Sequence, residues 1–255
     1  MPDWDSRQYL KFERDRTRPT RDLLAQVPLQ RARKIVDLGC GPGNSTELLV
    51  ARYLDAKVIG LDSSPDMLER ARERLPAHEF VQADVATWRP APDTDLLFAN
   101  ATFQWVPDHP TVLKRLLQAL PSGGVLAVQM PDNMNEAPLN FMGEVAREGG
   151  WATAETNKLQ RGNPLDPEKY YDLLRPHCQA LDMWHTIYAH VLDNAAAIVE
   201  WFKGTALRPY TTPLSDNARA AYLAAFEKRV AATFPPRYDG KVILNFPRFF
   251  IVATR

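Results

Sequence analysis

The sequence is poor in cysteine, and this scarcity excludes two kinds of architecture. Only Cys40 and Cys178 occur among 255 residues, and they do not form a Cys-x-x-Cys motif. A disulfide framework or a cysteine zinc cluster would need more cysteines at closer spacing. A chain of this length buries a sizeable core without such crosslinks. We therefore expect no metal site and a reducing compartment, most simply the cytoplasm.

Long hydrophobic runs and an excess of one charge are also missing. No stretch of eighteen apolar residues occurs, and the first residues lack the pattern of a secretion signal. Lys and Arg together number 31, as do Asp and Glu, so the formal net charge is zero. We expect no membrane span and no nucleic-acid partner held by bulk charge. The sequence leaves the oligomeric state open.

The sequence does contain short apolar runs that alternate with amphipathic stretches. Seven such runs occur, at 34–38, 57–62, 80–83, 95–99, 125–129, 180–190 and 244–254. Asn44 with Glu47 predicts a capping box at one helix start, and Ser64 with Pro65 predicts another helix start. The alternation predicts an α/β fold, with a Rossmann-like seven-stranded sheet and helices on both faces.

Three segments depart from this alternation. The first 30 residues are polar and rich in arginine, and we expect a helical segment there. Helical patterns near 194–206 and 214–233 separate the last two strands, and we expect a small helical cap with Arg208 ending its first helix. Residues 149–166 are rich in glycine and proline, which predicts a loop or lid. The predicted domains are a lid at 1–30, a core at 31–190 and 240–255, and a cap at 191–239.

The turn after the first strand is the most informative unit. Gly39, Gly41 and Gly43 alternate there, two residues after Asp37. Glycines permit positive φ and allow a ligand to approach the backbone closely. Such a turn lies at the carboxyl edge of a parallel sheet, where ligands bind. Asp62 ends the next strand, and its carboxylate can accept hydrogen bonds from both hydroxyls of a ribose.

Two cofactors fit a turn of this kind. A dinucleotide site uses the spacing Gly-x-Gly-x-x-Gly, but Asn44 stands where its third glycine would be. The observed Gly-x-Gly-x-Gly spacing suits S-adenosylmethionine, which carries no phosphate. Asp84 follows the third strand and can bond an adenine amino group. These features favour S-adenosylmethionine over a nicotinamide dinucleotide.

The motifs resemble those of the class I S-adenosylmethionine-dependent methyltransferases. The segments that carry this resemblance are VDLGCGPGN at 36–44, GLDSS at 60–64 and AD at 83–84. Further segments are similar to the trans-aconitate 2-methyltransferase family: YLxF at 9–12, RxRP at 16–19, FANATFQWVPDH at 98–109, LAVQMPDN at 126–133, LRP at 207–209 and FPRFFIVA at 246–253. The resemblance implies methyl transfer to a carboxylate of a small polycarboxylic acid, giving a monomethyl ester and S-adenosylhomocysteine.

The resemblance also implies which residues form the site. Cofactor-binding residues would be Tyr9, Arg18, Asp37, Gly39, Cys40, Gly41, Asp62, Ser63, Met67, Asp84, Val85, Asn100 and Ala101. Residues that bind the acceptor would be Gln104, Trp105, Gln129, Asn133, Arg208 and Arg248. Asn100 and Trp105 would position the reacting groups. No general base is expected, because a carboxylate is already ionised at neutral pH.

Arginines are the natural groups for the carboxylates that do not react, because the guanidinium holds a carboxylate by two hydrogen bonds. Arg208 and Arg248 are the main candidates. Arg18 is a further one, although we expect it at the carboxylate of the cofactor.

Other functions are compatible with the same motifs. The acceptor could be another small acid or a carrier-linked malonyl group, or the chain could be a sensor of S-adenosylmethionine without catalysis. A sensor would keep the glycine turn and Asp62 and lose the groups on the acceptor side. The presence of Asn100, Trp105 and the arginines Arg208 and Arg248 argues against a sensor.

Overall fold

Seven strands form one mixed sheet. A computed structural model describes residues 13–153, 156 and 164–255. The strands are β1 (Lys34–Leu38), β2 (Lys57–Asp62), β3 (Glu79–Gln82), β4 (Leu96–Asn100), β5 (Val125–Pro131), β6 (Ala180–Leu192) and β7 (Val242–Thr254). Their order in the sheet is β3-β2-β1-β4-β5-β7-β6. The first five are parallel, whereas β7 runs antiparallel to β5 and β6. The predicted seven-stranded α/β sheet is confirmed.

Helices connect the strands and cover the sheet. They are α1 (Glu13–Gln26), α2 (Asn44–Arg52), α3 (Pro65–Arg74), α4 (His109–Ala119), α5 (Ala137–Glu148), α6 (Pro167–Leu174), α7 (Ala195–Lys203), α8 (Arg208–Thr211) and α9 (Asp216–Thr233). Short 3₁₀ turns occupy Phe103–Trp105 and Arg175–His177.

The two faces of the sheet carry separate hydrophobic cores, because side chains along a strand alternate between faces. On β4, Leu96 and Phe98 pack in one core with residues of α1, α5, α7 and α9. Leu97 and Ala99 pack in the other core with residues of α4 and α6. All seven residues of β5 are buried, which is why its sequence is an uninterrupted apolar run apart from Gln129.

The start of α2 differs from the sequence prediction. The helix begins at Asn44, and the residue before it is Gly43 with φ +88° and no side-chain cap. The predicted capping box at Asn44 and Glu47 is therefore wrong, because the left-handed glycine itself leads the chain into the helix. The Glu47 carboxylate instead accepts a hydrogen bond from Arg74 at 3.1 Å. At α3 the predicted start is confirmed, since Ser64 Oγ accepts from the backbone N–H of Met67.

The helices between β6 and β7 belong to the core on the α1 face. Ile198 of α7 and Phe226 of α9 are fully buried there, and Tyr222 donates a hydrogen bond to the carbonyl of Met142 in α5 at 3.1 Å. The prediction that Arg208 ends the first of these helices is wrong. That helix ends at Lys203, and Arg208 begins the short helix α8. In the described ranges no helix is long and apolar enough to cross a membrane.

Candidate active site

The glycine turn after β1 has the backbone geometry that its sequence predicts. Gly39, Gly41 and Gly43 all have positive φ, at +70°, +54° and +88°. At Gly39 the space is also limited, because a Cβ would lie 2.3 Å from Thr102 Oγ1. Thr102 is fixed there by a 2.8 Å hydrogen bond to the carbonyl of Leu38. Gly39 thus allows the loop after β4 to pack directly on the turn.

Asp62 joins the tip of β2 to this turn. Its Oδ2 accepts from the N–H of Gly41 and its Oδ1 accepts from the N–H of Ser64, both at 2.9 Å. The side chain is half-buried. Each carboxylate oxygen can accept more than one hydrogen bond, so both retain capacity for a ligand. The carboxylate is therefore fixed in position and still available.

A cavity of about 200 Å³ opens between the turn, the tips of β2 to β4 and helix α1. Among the sequence-predicted site residues, its lining includes Gly39, Cys40, Gly41, Asp62, Ser63, Met67, Asp84, Val85, Asn100, Ala101 and Trp105. The sequence analysis missed Thr17, Thr20, Pro42, Asn44, Ser45, Ala83, Thr102, Val106 and Pro107. Several of these lie inside the quoted motifs and could have been named. Thr17 is the unspecified position of the RxRP segment, and Thr20 lies outside every quoted segment.

Asp37 lies beneath the cavity rather than in its lining. Its Oδ2 accepts hydrogen bonds from Ser45 Oγ and Thr46 Oγ1, both at 2.7 Å, at the start of α2. Burial raises the pKa of Asp37 to about 6, although these two hydrogen bonds lower it and the charge of Asp62 raises it further. Its Oδ1 is buried and has no hydrogen-bond partner among the described residues.

Four polar residues lie on the α1 face of the sheet, on neighbouring strands, and we call them the polar row: Asp37, Asn100, Gln129 and Arg248. Each lies two residues along its strand from an apolar residue of that core, so all four point to the same face. Asn100 and Gln129 are direct partners in the β4–β5 ladder. Arg248 Nη1 donates to Gln129 Oε1 at 3.1 Å. Asn100 Oδ1 is buried without a hydrogen-bond partner in the described part of the chain.

The acceptor candidates Arg248, Asn133 and Gln104 are all buried. Arg248 is 4% exposed, and Asn133, just after β5, is 2% exposed. Gln104 is also buried, and its Nε2 donates to the carbonyl of Ala101 at 2.6 Å. Ala101 has φ +57°, so Gln104 supports an unusual backbone turn next to the cavity.

Two further predicted residues, Arg18 and Arg208, also lie outside the cavity lining, as do Asp37, Gln104, Gln129, Asn133 and Arg248. The guanidinium carbon of Arg18 lies 5.2 Å from the centre of the Tyr188 ring on β6. Arg208 is half-buried at the beginning of α8, outside the cavity lining. Tyr9 lies outside the described residues.

The sheet order, the glycine turn and the acidic tips of β2 and β3 define a class I S-adenosylmethionine-dependent methyltransferase. A family profile described as "Methyltransferase domain" matches residues 35–124. Among solved structures, phosphoethanolamine N-methyltransferase 2 of Haemonchus contortus, in complex with phosphomonomethylethanolamine and S-adenosylhomocysteine, matches with a TM-score of 0.55. The match covers 92% of this chain and 52% of that chain at 16% identity, which shows a shared fold.

Sequence relatives give the particular family. The chain is 59% identical to the trans-aconitate 2-methyltransferase of Rhodopseudomonas palustris strain BisB5 and 57% identical to that of Afipia carboxidovorans. Both matches cover 100% of this chain and 100% of the relative. The chain belongs to the trans-aconitate 2-methyltransferase family. This membership confirms the expected enzyme class and its cofactor, S-adenosylmethionine.

Proposed function

We propose that this protein transfers the methyl group of S-adenosylmethionine to a carboxylate oxygen of trans-aconitate, giving a monomethyl ester and S-adenosylhomocysteine. The observation that carries the proposal is the polar row. It leads from Asn100 in the cavity lining, through Gln129, to the buried cation Arg248. A polyanionic acceptor needs such a cation beside the reaction site, because only charged or multiple donors offset the loss of its hydration.

The cavity fits the cofactor. A Cβ at Gly41 would meet no atom within 4 Å, so the glycine leaves open space at the turn. In this proposal Asp62 accepts from the ribose hydroxyls, and Asp84 accepts from the adenine amino group. The unsatisfied Oδ1 of Asn100 provides a further acceptor at the other end of the cavity. When bound there, the cofactor supplies an electrophilic methyl group on a sulfonium.

The chain has to position the acceptor rather than activate it. Carboxylic acids have a pKa of about 4, so the reacting oxygen is ionised at neutral pH and needs no base. The protein's contribution is orientation and removal of water. We assign positioning of the reacting groups to Asn100 and exclusion of water to Trp105, both of which line the cavity.

The acceptor carboxylates that do not react would be held by Arg248, with Gln129 and Asn133 as further donors. Arg248 and Gln129 are already hydrogen-bonded, so the guanidinium is held beside Gln129, which in turn is the ladder partner of Asn100. Arg208 and Gln104 stay predicted members of the acceptor site. The predicted lid, core and cap likewise stay part of the proposal, with helix α1 serving as the lid.

We also propose that the enzyme works in the cytoplasm on a free small molecule. Cys40 and Cys178 are both free thiols, which suits a reducing compartment.

The test is methyl transfer from labelled S-adenosylmethionine to a panel of acceptors. The panel contains trans-aconitate, its cis isomer, saturated tricarboxylates, dicarboxylates, a monocarboxylate and the amine phosphoethanolamine. We expect the highest kcat/KM with trans-aconitate, and a label that mild alkali releases because it is in an ester. Transfer to the amine, or no transfer to any carboxylate, would contradict the proposal.

A further inference from the structure

Helix α1 faces two parts of the molecule at once. Thr17 and Thr20, three residues apart on one side of the helix, line the cavity. Two residues beyond Thr20, and so on another side of the helix, Asp22 Oδ2 accepts a 2.6 Å hydrogen bond from the hydroxyl of Tyr188 on β6. Tyr188 is buried, with 2% of its surface exposed. This contact fixes α1 across the α1 face of the sheet, from the cavity to the edge strand.

Two arginines stand over one pair of aromatic rings at that edge. Tyr188 and Phe246 are direct partners in the β6–β7 ladder. The Arg18 guanidinium carbon lies 5.2 Å from the Tyr188 ring centre, and that of Arg248 lies 4.8 Å from the Phe246 ring centre. Side chains of directly opposed residues are close neighbours on a sheet face. The two cations, one from α1 and one from β7, therefore each lie over one ring of the same cross-strand pair.

The electrostatics of Tyr188 agree with this arrangement. Burial and the hydrogen bond to Asp22 raise the pKa of the Tyr188 hydroxyl, whereas the positive charges of Arg248 and Arg18 lower it. Both arginines thus act on the same hydroxyl group.

Arg18 brings a second positive charge near the Tyr188 hydroxyl, where Asp22 is the carboxylate already present, and a site with two guanidinium groups favours a further anion. Arg18 is exposed, and no carboxylate of the described residues lies within 4.0 Å of its guanidinium. Arg18 also lies away from β1 to β4, the strands whose ends line the cavity. In the sheet order, β5 and β7 lie between β4 and β6, the strand that carries Tyr188. Arg18 is thus placed with the acceptor groups.

We propose that Arg18 and Arg248 together form a subsite for a carboxylate of the acceptor that does not react, and that the Asp22–Tyr188 contact positions α1 for this role. The inference rests on the proposed function and names a further group of the same acceptor site. It assigns Arg18 to the acceptor instead of to the carboxylate of the cofactor.

The test compares Arg18→Met with Arg21→Met in the full-length protein. Both substitutions remove one exposed positive charge from α1, but only Arg18 stands over Tyr188. For Arg18→Met we expect the KM for trans-aconitate to rise by about tenfold or more. The rise should be smaller for a dicarboxylate that lacks one of the three carboxylates. The Kd of S-adenosylhomocysteine, measured by calorimetry, should stay at the wild-type value.

Two results would overturn the subsite while leaving the proposed function intact. One is an Arg18→Met variant with the same acceptor KM as Arg21→Met. The other is a weaker Kd for S-adenosylhomocysteine with an unchanged acceptor KM, which would return Arg18 to the cofactor. A wild-type protein that methylates no polycarboxylate would overturn the proposed function and the subsite together.

Discussion

At the scale of single residues, Gly39 couples the cofactor turn to the loop after β4. Its φ is +70°, and a Cβ would lie 2.3 Å from Thr102 Oγ1. Gly123 is a matched control, because its φ is +80° but a Cβ there would meet nothing within 4 Å. We expect Gly123→Ala to cost about 1–2 kcal/mol from backbone strain. Gly39→Ala should cost about 1–3 kcal/mol more, because Thr102 must also move.

Urea denaturation of the two variants measures this difference, and calorimetry with S-adenosylhomocysteine measures binding. Gly39→Ala should weaken binding, whereas Gly123→Ala should leave it unchanged. Equal losses of stability in the two variants would show that the contact with Thr102 does not constrain the turn.

The raised pKa of Asp37 should make the stability of the fold depend on pH. Burial raises its pKa from 3.8 to about 6. Between these values the folded protein keeps a proton that the unfolded chain has lost, so the free energy of unfolding falls as the pH rises. The shift corresponds to a contribution of about 3 kcal/mol that is present below pH 4 and lost above pH 6.

Asp37→Asn removes this titration and keeps an oxygen that can accept from Ser45 and Thr46. We expect its free energy of unfolding, measured by urea denaturation between pH 4 and 6, to fall less steeply with pH than that of the wild type. Identical slopes in the two proteins would contradict the assignment of a raised pKa to Asp37.

At the scale of elements, strand β7 brings a cation to the carboxyl ends of the parallel strands. Because β7 runs antiparallel to β5, Arg248 lies opposite Pro131 at the end of β5. Arg248→Met keeps much of the packing of the side chain and removes its charge. We expect kcat/KM for trans-aconitate to fall by an amount equivalent to about 2–4 kcal/mol of transition-state stabilisation. The Kd of S-adenosylhomocysteine should not change.

Arg237→Met is the control for this substitution, since Arg237 is exposed in the loop before β7 and should leave both constants unchanged. An Arg248→Met variant with wild-type kcat/KM would remove Arg248 from the acceptor site. A parallel loss of cofactor binding would place it in the cofactor site instead.

Elements that depend on local sequence could be predicted, and those that depend on distant contacts could not. The strands of the buried sheet follow apolar runs, and Ser64 with Pro65 marks the start of α3. Arg208 was placed wrongly because α7 ends early, in a turn where the N–H of Thr205 and of Leu207 both bond the carbonyl of Phe202. Lys203 in the last turn and Gly204 after it are a helix-end signal that could have placed this boundary.

In the candidate site, residues next to strand ends could likewise be predicted, and residues brought there by the packing of distant elements could not. The turn after β1, Asp62 and Asp84 follow from motif spacing, because each lies next to a strand end. Thr17 and Thr20 reach the cavity only because α1 lies across the sheet, and nothing in their local sequence indicates that contact. Arg18 was assigned by resemblance, whereas the structure places it over Tyr188.

At the scale of the whole molecule, the sheet order separates the strands proposed to bind the cofactor from those proposed to bind the acceptor. The turn after β1 and the tips of β2 to β4 line the cavity in which we propose the cofactor binds, whereas β5 and β7 carry Gln129 and Arg248. The cofactor and a polyanion can therefore meet at Asn100, where the two halves of the site join.

The same arrangement predicts how the reaction rate depends on pH. A carboxylate acceptor needs no deprotonation by the enzyme, so kcat should be nearly constant from about pH 6.5 to 8. This range lies above the pKa of Asp37, which is about 6. Initial rates at saturating concentrations of both substrates measure it. A rise of about tenfold per pH unit, with the chemical step limiting turnover, would indicate an acceptor that must lose a proton.

The central claim is that the polar row holds the acceptor next to the methyl group at Asn100. A crystal structure of the protein with S-adenosylhomocysteine and trans-aconitate tests it most directly. We expect one carboxylate within hydrogen-bond distance of Arg248, and another directed into the cavity between Asn100 and Trp105. Trans-aconitate bound away from Arg248, or S-adenosylhomocysteine bound outside the cavity, would contradict it.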